Sequence, residues 1–193
     1  MSVKEEFIEV FEKNITRDGN KELLKWLLSS DFFTAPASTK FHSAYEGGLA
    51  EHSLKVYNRF LKMIISEYGD NYTNVISNES IAIIGLLHDV CKVNCYKVDY
   101  RNVKDENGNW TKQPYYTFDE ELPYGHGEKS VYIISSFVKL TREEAIAINW
   151  HMGGFDARVR NGGASLSDAY YKFPIAAIFN SADTLSTYLD EER

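Results

Sequence analysis

The sequence predicts a mainly α-helical domain with one inserted β-hairpin at about residues 95–119. Three observations carry that prediction. Apolar residues recur at spacings of three and four through most of the chain, the run IAIIGLLHDV is apolar almost all round, and only between Asn94 and Glu121 does the pattern turn to short β-rich pieces. A length of 193 residues suits one domain, here 1–193, with residues 1–40 as N-terminal helices and a loop and residues 41–190 as the core. With 44% apolar and 25% charged residues, the composition is that of a globular protein.

In chain order, residues 3–15 and 20–29 carry helical spacing through Phe7, Val10 and Phe11, then Leu23, Leu24, Leu27 and Leu28, with Asp18 and Gly19 as the break. The stretch DFFTAPASTKFHSAYEGG has no period and reads as a loop. A helix follows over 49–67, with His52 on the same stripe as Leu49, Val56, Phe60 and Ile64. The next, over 79–93, is buried on most sides and places His88 on a face with Ile81 and Ile84. CYKVDYRNV and WTKQPYYTF bracket the turn-forming DENGN and form the hairpin. Helices resume over 126–140 and 142–151, the second opened by a capping box between Thr141 and Glu144. GGFDARVRNGGAS is a glycine-rich loop, and Pro174 starts a last helix that ends near Leu189 and carries Asp183 beside its apolar side.

A formal charge of −7 disfavours passive binding to nucleic acid, so a phosphate-bearing substrate has to be held by metal ions or a few placed basic groups. The start is acidic and amphipathic, unlike a secretory signal, and no run of about 18 apolar residues occurs, so a cytoplasmic protein with no membrane partner is expected. Cys91 and Cys95 are too few for a disulfide framework and lack the second pair of a structural zinc site; both are read as reduced core residues.

The chemistry lies in where the histidines fall. His52 and His88 share stripes with Leu, Val and Ile, the pair His88 and Asp89 closes a buried helix, and Asp183 adjoins an apolar face. A buried carboxylate or imidazole without a partner costs several kcal/mol, so these groups must satisfy one another or share something positive. A divalent metal is the economical partner. Imidazole and carboxylate ligands without thiolate suit Mn, Fe, Co, Ni or Zn, and ligand type does not choose among them.

His52, then His88 with Asp89, then Asp183, each on its own helix, resemble the H…HD…D signature of the HD superfamily, over about residues 40–190. GGLAEHSL around His52, GLLHDVCK around His88 and GHGEKS around His126 are similar to the HD domain of YhaM-type exoribonucleases. The resemblance implies an HD-domain helical bundle with metal at its centre. It implies that His52, His88, Asp89 and Asp183 hold a first ion, and that His126 and His151 match the extra histidines of dinuclear members, giving one or two ions, with Mg added to the candidates. Asp89, Lys92 and Lys129 are the candidate catalytic residues. Lys92 matches the lysine of HDxxK and is read as a phosphate ligand or a plain surface lysine; Lys129 lies near a helix start that favours anions.

The implied activity is hydrolysis of a nucleotide or short oligonucleotide phosphate ester by metal-activated water. The GYP motif of the cyclic-dinucleotide branch is missing, and no dedicated nucleic-acid-binding domain is found. Two other readings stay open: a mixed-valent di-iron oxygenase using the same six residues, and a nucleotide-binding regulator without turnover. His42 is read as structural or solvated, with contact to substrate as the other option. Arg158 and Arg160 are read as loop charges outside the site. Tyr96, Tyr100, Tyr115 and Tyr116 suit cross-strand packing or stacking on a base. Oligomeric state is not read from the sequence.

Overall fold

A computed structural model describes residues 1–120 and 122–191. Helix α1 (Val3–Asn14) starts at a reciprocal cap: the Ser2 hydroxyl accepts the Glu5 amide at 3.3 Å, and the Glu5 carboxylate accepts the Ser2 amide at 2.8 Å. It buries Phe7 and Phe11. The chain turns at Gly19 (φ +89°) into α2 (Asn20–Ser29), where the sequence places the break.

The spine of the fold is α3 (Gly48–Tyr68), whose Leu49, His52, Val56, Phe60 and Ile64 are all buried. It packs against α4 (Asn78–Leu87) and α9 (Pro174–Leu189). Every residue from Ile81 to Leu87 of α4 is buried, as an apolar run without a polar face requires. A β-carbon on Gly85 would lie 2.7 Å from Tyr57 Cα, so α3 and α4 touch backbone to backbone there.

The mainly helical class with one inserted hairpin is what the structure shows. Strand β1 (Tyr96–Lys104) pairs antiparallel with β2 (Trp110–Phe118), Tyr96 opposite Phe118 and Lys104 opposite Trp110. The Asp105 carboxylate accepts the amides of Asn107 and Asn109 and ties the turn, with Gly108 at φ +81°. Tyr96 meets Tyr116 and Phe118 edge-on across the pair, and Tyr115 donates to the Asp99 carboxylate at 3.2 Å.

Helices α5 (His126–Ser135) and α6 (Arg142–Asn149) pack together, α6 opened by the expected box of Thr141 and Glu144. A β-carbon on Gly127 would lie 2.3 Å from the Asn149 carbonyl oxygen, so the start of α5 meets the end of α6 only through a glycine. Glu144 is fully buried and joins distant parts of the chain. Both of its oxygens accept from the Arg17 guanidinium at 2.9 Å, and it also takes the Ser80 hydroxyl and the Thr141 amide.

Three boundaries differ from expectation. The helix expected over 79–93 ends at Leu87, Asp89 leaves helical geometry (φ −106°, ψ 13°), and Val90–Lys92 form a 3₁₀ turn. The apolar pattern runs on because Val90, Cys91 and Val93 are buried in either conformation. The helix expected to reach residue 140 stops at Ser135. The glycine-rich segment folds into a 3₁₀ turn (Gly153–Phe155) and the short α7 (Ala157–Arg160), which the Asp156 carboxylate caps by accepting the Arg158 amide. Helix α8 (Ser165–Lys172) then leads to Pro174. Among the described residues no helix is long and apolar enough to cross a membrane.

Candidate metal centre

Five elements converge on one point. His52 comes from the second turn of α3, His88 and Asp89 from the break after α4, His126 from the first position of α5, His151 from just past α6, and Asp183 from the middle of α9. His52, His88, Asp89 and His151 are buried, each at most 2% exposed. The side chains of Asp183 and His126 open toward solvent. Gly85 and Gly127 set the spacing, since they let α4 approach α3 and α5 approach α6.

Hydrogen bonds fix how the rings face. His88 Nδ1 donates to the Gly85 carbonyl at 3.0 Å, and His151 Nδ1 donates to the Ile148 carbonyl at 2.7 Å. A carbonyl only accepts, so in the neutral rings Nε2 carries the lone pair. His52 Nδ1 lies 2.6 Å from Glu191 Oε1. The freed Nε2 atoms point at each other and at the carboxylates. His52 Nε2 is 3.1 Å from His88 Nε2, and both lie within 3.9 Å of Asp183 Oδ1 and within 3.6 Å of Asp89 Oδ2. On the other side of Asp89, Oδ1 lies 2.8 Å from His126 Nε2 and 3.4 Å from His151 Nε2.

This arrangement wants positive charge. Burial alone would push the Asp89 carboxyl up, but the Lys92 ammonium and the surrounding imidazoles hold it well below the usual range. Burial likewise opposes ionisation of Asp183, and its His52 and His88 neighbours overcome it. Burial pushes His88 down to about 3, so its Nε2 keeps a lone pair facing another imidazole. His52 is driven the other way: against burial, the Asp183, Asp89 and Glu191 carboxylates raise it well above the ordinary value. Without an ion, then, His52 Nε2 faces both carboxylates, and the Lys92 ammonium is the other cation beside Asp89. Among the described residues His151 Nε2 is buried without a well-formed hydrogen bond, its neighbouring acceptor being Asp89 Oδ1 at 3.4 Å.

A divalent cation fits these donors. His52, His88 and Asp183 bring one ligand atom each within 4.8 Å of one another; so do His88, Asp89 and His151, and so do Asp89, Cys91 and His126. Asp89 belongs to both sides, one oxygen toward each. Cys91 Sγ sits 3.5 Å from the His126 ring, and burial raises its thiol, which leaves it a neutral neighbour of the cluster.

The six residues singled out as ligands are thus brought together. Lys92 joins them, its Nζ 2.6 Å from Asp89 Oδ2 at the wall of the cleft. Lys129 does not. Its ammonium is buried and bonded to Glu120 Oε1 at 2.6 Å and Cys95 Sγ at 3.1 Å, because the acidic segment after β2 closes over that face of α5. Arg158 lies over the Trp150 ring and pairs with Asp156 and Glu128, so it braces the segment after α6.

Above the cluster opens a cleft of about 780 Å³. Its wall holds the cations Lys40, Lys92 and Arg160 and the exposed aromatics Phe41, Phe155 and Tyr188. Lys40 lies over the Phe41 ring and Arg160 over the Phe155 ring, each at 5.3 Å. His42, read from sequence as structural or solvated, lines the same cleft with its ring 5.2 Å from that of His52. Arg160 and Glu191 are the other groups sequence reasoning left out. Arg160 stood in a loop, and Glu191 in a run of surface-type charges.

Fold and site together define a helical protein with a buried histidine and aspartate cluster, of metal-ligating composition, beneath an open cleft. Over 86 residues, 44% of its length, the chain is 34% identical to the dihydroneopterin 2',3'-cyclic phosphate phosphodiesterase of Methanocaldococcus jannaschii. The matched stretch spans 31% of that archaeal protein. No protein-family model matches the chain, and no solved structure matches it.

Proposed function

We propose that this chain is a metal-dependent phosphohydrolase of the HD superfamily, a single domain over 1–193, acting on a nucleotide or short oligonucleotide phosphate ester. The observation that carries the reading is the pair of donor sets sharing Asp89 at the foot of a cleft with cations on its wall. The archaeal relative, a phosphodiesterase named for a cyclic phosphate substrate, supports the same class of reaction.

In this reading His52, His88, Asp89 and Asp183 hold a first divalent ion, and Asp89, His126 and His151 a second. Such ions supply a water acidified toward neutrality and neutralise the charge that develops on phosphate oxygens. The chain's own groups do the rest. Glu191, Gly85 and Ile148 hold the rings of His52, His88 and His151 by their Nδ1 atoms. Asn180 donates to the His151 carbonyl at 2.6 Å and fixes that turn against α9. Lys92, at the wall of the cleft beside Asp89, takes a phosphate oxygen, and Arg160 and Lys40 take the charge farther out. Phe41, Phe155 and Tyr188 offer flat apolar faces to a base, which suits a ring-bearing ester over a bare phosphate.

The test is metal analysis of anaerobically purified protein, followed by turnover of nucleoside 2',3'-cyclic phosphates, mononucleotides and dinucleotides with Mn, Ni, Co, Mg or Fe added. Hydrolysis with a redox-inert metal is expected, and Asp89→Ala should lose bound metal and at least a hundredfold in turnover together. Two irons with no hydrolysis under any metal would replace this reading with the oxygenase. Nucleotide binding without turnover would replace it with the regulator.

A further inference from the structure

Just beyond α9, Glu191 folds back onto a residue 139 positions earlier, and its side chain is fully buried. Its two oxygens have separate partners. Oε1 lies 2.6 Å from His52 Nδ1, and Oε2 accepts the Ser43 hydroxyl at 2.6 Å. Ser43 is itself fully buried and sits at φ +44°, a conformation uncommon for a residue other than glycine, with its carbonyl bonded to the Ala37 amide. The neighbouring Asp190 is clamped by Arg59 of α3, whose Nε and Nη2 donate to its two oxygens at 2.6 and 2.5 Å. A strained serine on one side and a bidentate ion pair on the other thus deliver one carboxylate to one ring nitrogen.

We infer that Glu191 is the positioning residue of the first metal ligand: held by Ser43, it fixes His52 with Nδ1–H donated away from the cleft and Nε2 directed at His88 and Asp183. The inference rests on the metal reading of the cluster and goes beyond it by naming what orients a ligand. Ligating histidines commonly donate their second nitrogen to a carboxylate, which sets the tautomer, holds the ring and raises its basicity; loss of that partner typically costs about 10- to 100-fold in metal affinity.

His42, His52 and Glu191 also bring donor atoms near one another, which invites a separate ion at that spot. The spacing argues against it. Two ligands at about 2.1 Å from one ion in a tetrahedral set stand roughly 3.4 Å apart, whereas His52 Nδ1 and Glu191 Oε1 stand 2.6 Å apart, the length of a charge-assisted hydrogen bond.

The experiment is titration of metal-free protein with Mn(II) and Co(II), reading affinity by competition with a chelating dye, ions bound per chain, and the visible absorption of the Co(II) form. Wild type is compared with Glu191→Gln, which keeps the shape and loses the charge, with Glu191→Ala and with Ser43→Ala. Expected is a loss of about tenfold for Glu191→Gln, approaching 100-fold for Glu191→Ala, and a smaller loss for Ser43→Ala. The number of ions at saturation should stay unchanged, and the Co(II) bands should shift in the Glu191 variants. Wild-type affinity and spectrum in Glu191→Gln and Glu191→Ala would overturn the inference. So would a loss of one whole ion with the remaining affinity intact, which makes Glu191 a ligand. A wild type that takes up no divalent ion ends the metal reading and this inference together, whereas a loading wild type with unaltered variants ends this inference alone.

Discussion

The two oxygens of Asp89 face different companies, Oδ2 toward His52 and His88 and Oδ1 toward His126 and His151. Removal of His126 therefore strips one side of the carboxylate and leaves His52, His88 and Asp183 untouched. His126→Ala should lower the metal content from about two ions per chain toward one; elemental analysis of the dialysed variant checks it, and an unchanged ratio makes His126 a substrate contact. At this scale the cluster was legible because a histidine on a stripe of Leu and Val, or an Asp closing an apolar helix, is conspicuous against its neighbours. Glu191 was not, since the charges around it look like any solvated end of a helix, and its burial depends on Ser43 and His52, far away in sequence. Lys129 failed for the converse reason. One turn into α5 it has the local setting of an anion site, and only the packing of Glu120 and Cys95 takes its ammonium.

Elements meet at this site through missing side chains as much as through present ones. Because a β-carbon on Gly85 would lie 2.7 Å from Tyr57 Cα, Gly85→Ala has to push α4 off α3, and His88 moves with it. Overpacking of this kind costs about 1–3 kcal/mol, and the larger effect should be on the metal, with affinity falling at least tenfold. Chelator competition beside thermal melting separates the two; a variant that loses stability but keeps wild-type affinity would show that α4 does not set the ligand geometry. Glu144 joins elements and is not among the residues lining the cleft, so its effect should fall on stability. Glu144→Ala leaves the Arg17 guanidinium, the Ser80 hydroxyl and the Thr141 amide without their shared acceptor. Breaking such a buried pair costs about 3 kcal/mol, or roughly 6–12 °C in a chain of this size, with metal affinity unaffected. The hairpin and the cap of α6 were readable because turn and cap chemistry is local. The break after Leu87 was not, because a segment buried on all sides carries no period to lose.

For the whole molecule, the consequence of the site is mechanical as well as chemical. The helical class and the hairpin follow from patterns spread along the chain, but the helices around the cleft also bring two carboxylates and several imidazoles into one buried cluster. The neutral His88 ring faces the His52 ring, and Asp89 and Asp183 lie beside them in a chain of formal charge −7. In the proposed metal reading a bound divalent ion would change that balance in the native state, where α3, the turn after α4, α5, the end of α6 and α9 each bring a potential donor. In the unfolded chain those donors are scattered between positions 52 and 183. An ion present at 100 times its dissociation constant then stabilises the native state by about 2.7 kcal/mol, which for this length raises Tm by roughly 5–10 °C. Protein stripped with a chelator should melt that much lower than protein in saturating Mn(II), the difference growing with the logarithm of free metal, and Asp89→Ala should show almost none of it. A melting temperature indifferent to Mn, Co, Ni, Zn, Fe and Mg alike would mean that His52 and Lys92, and not a metal, balance the two carboxylates.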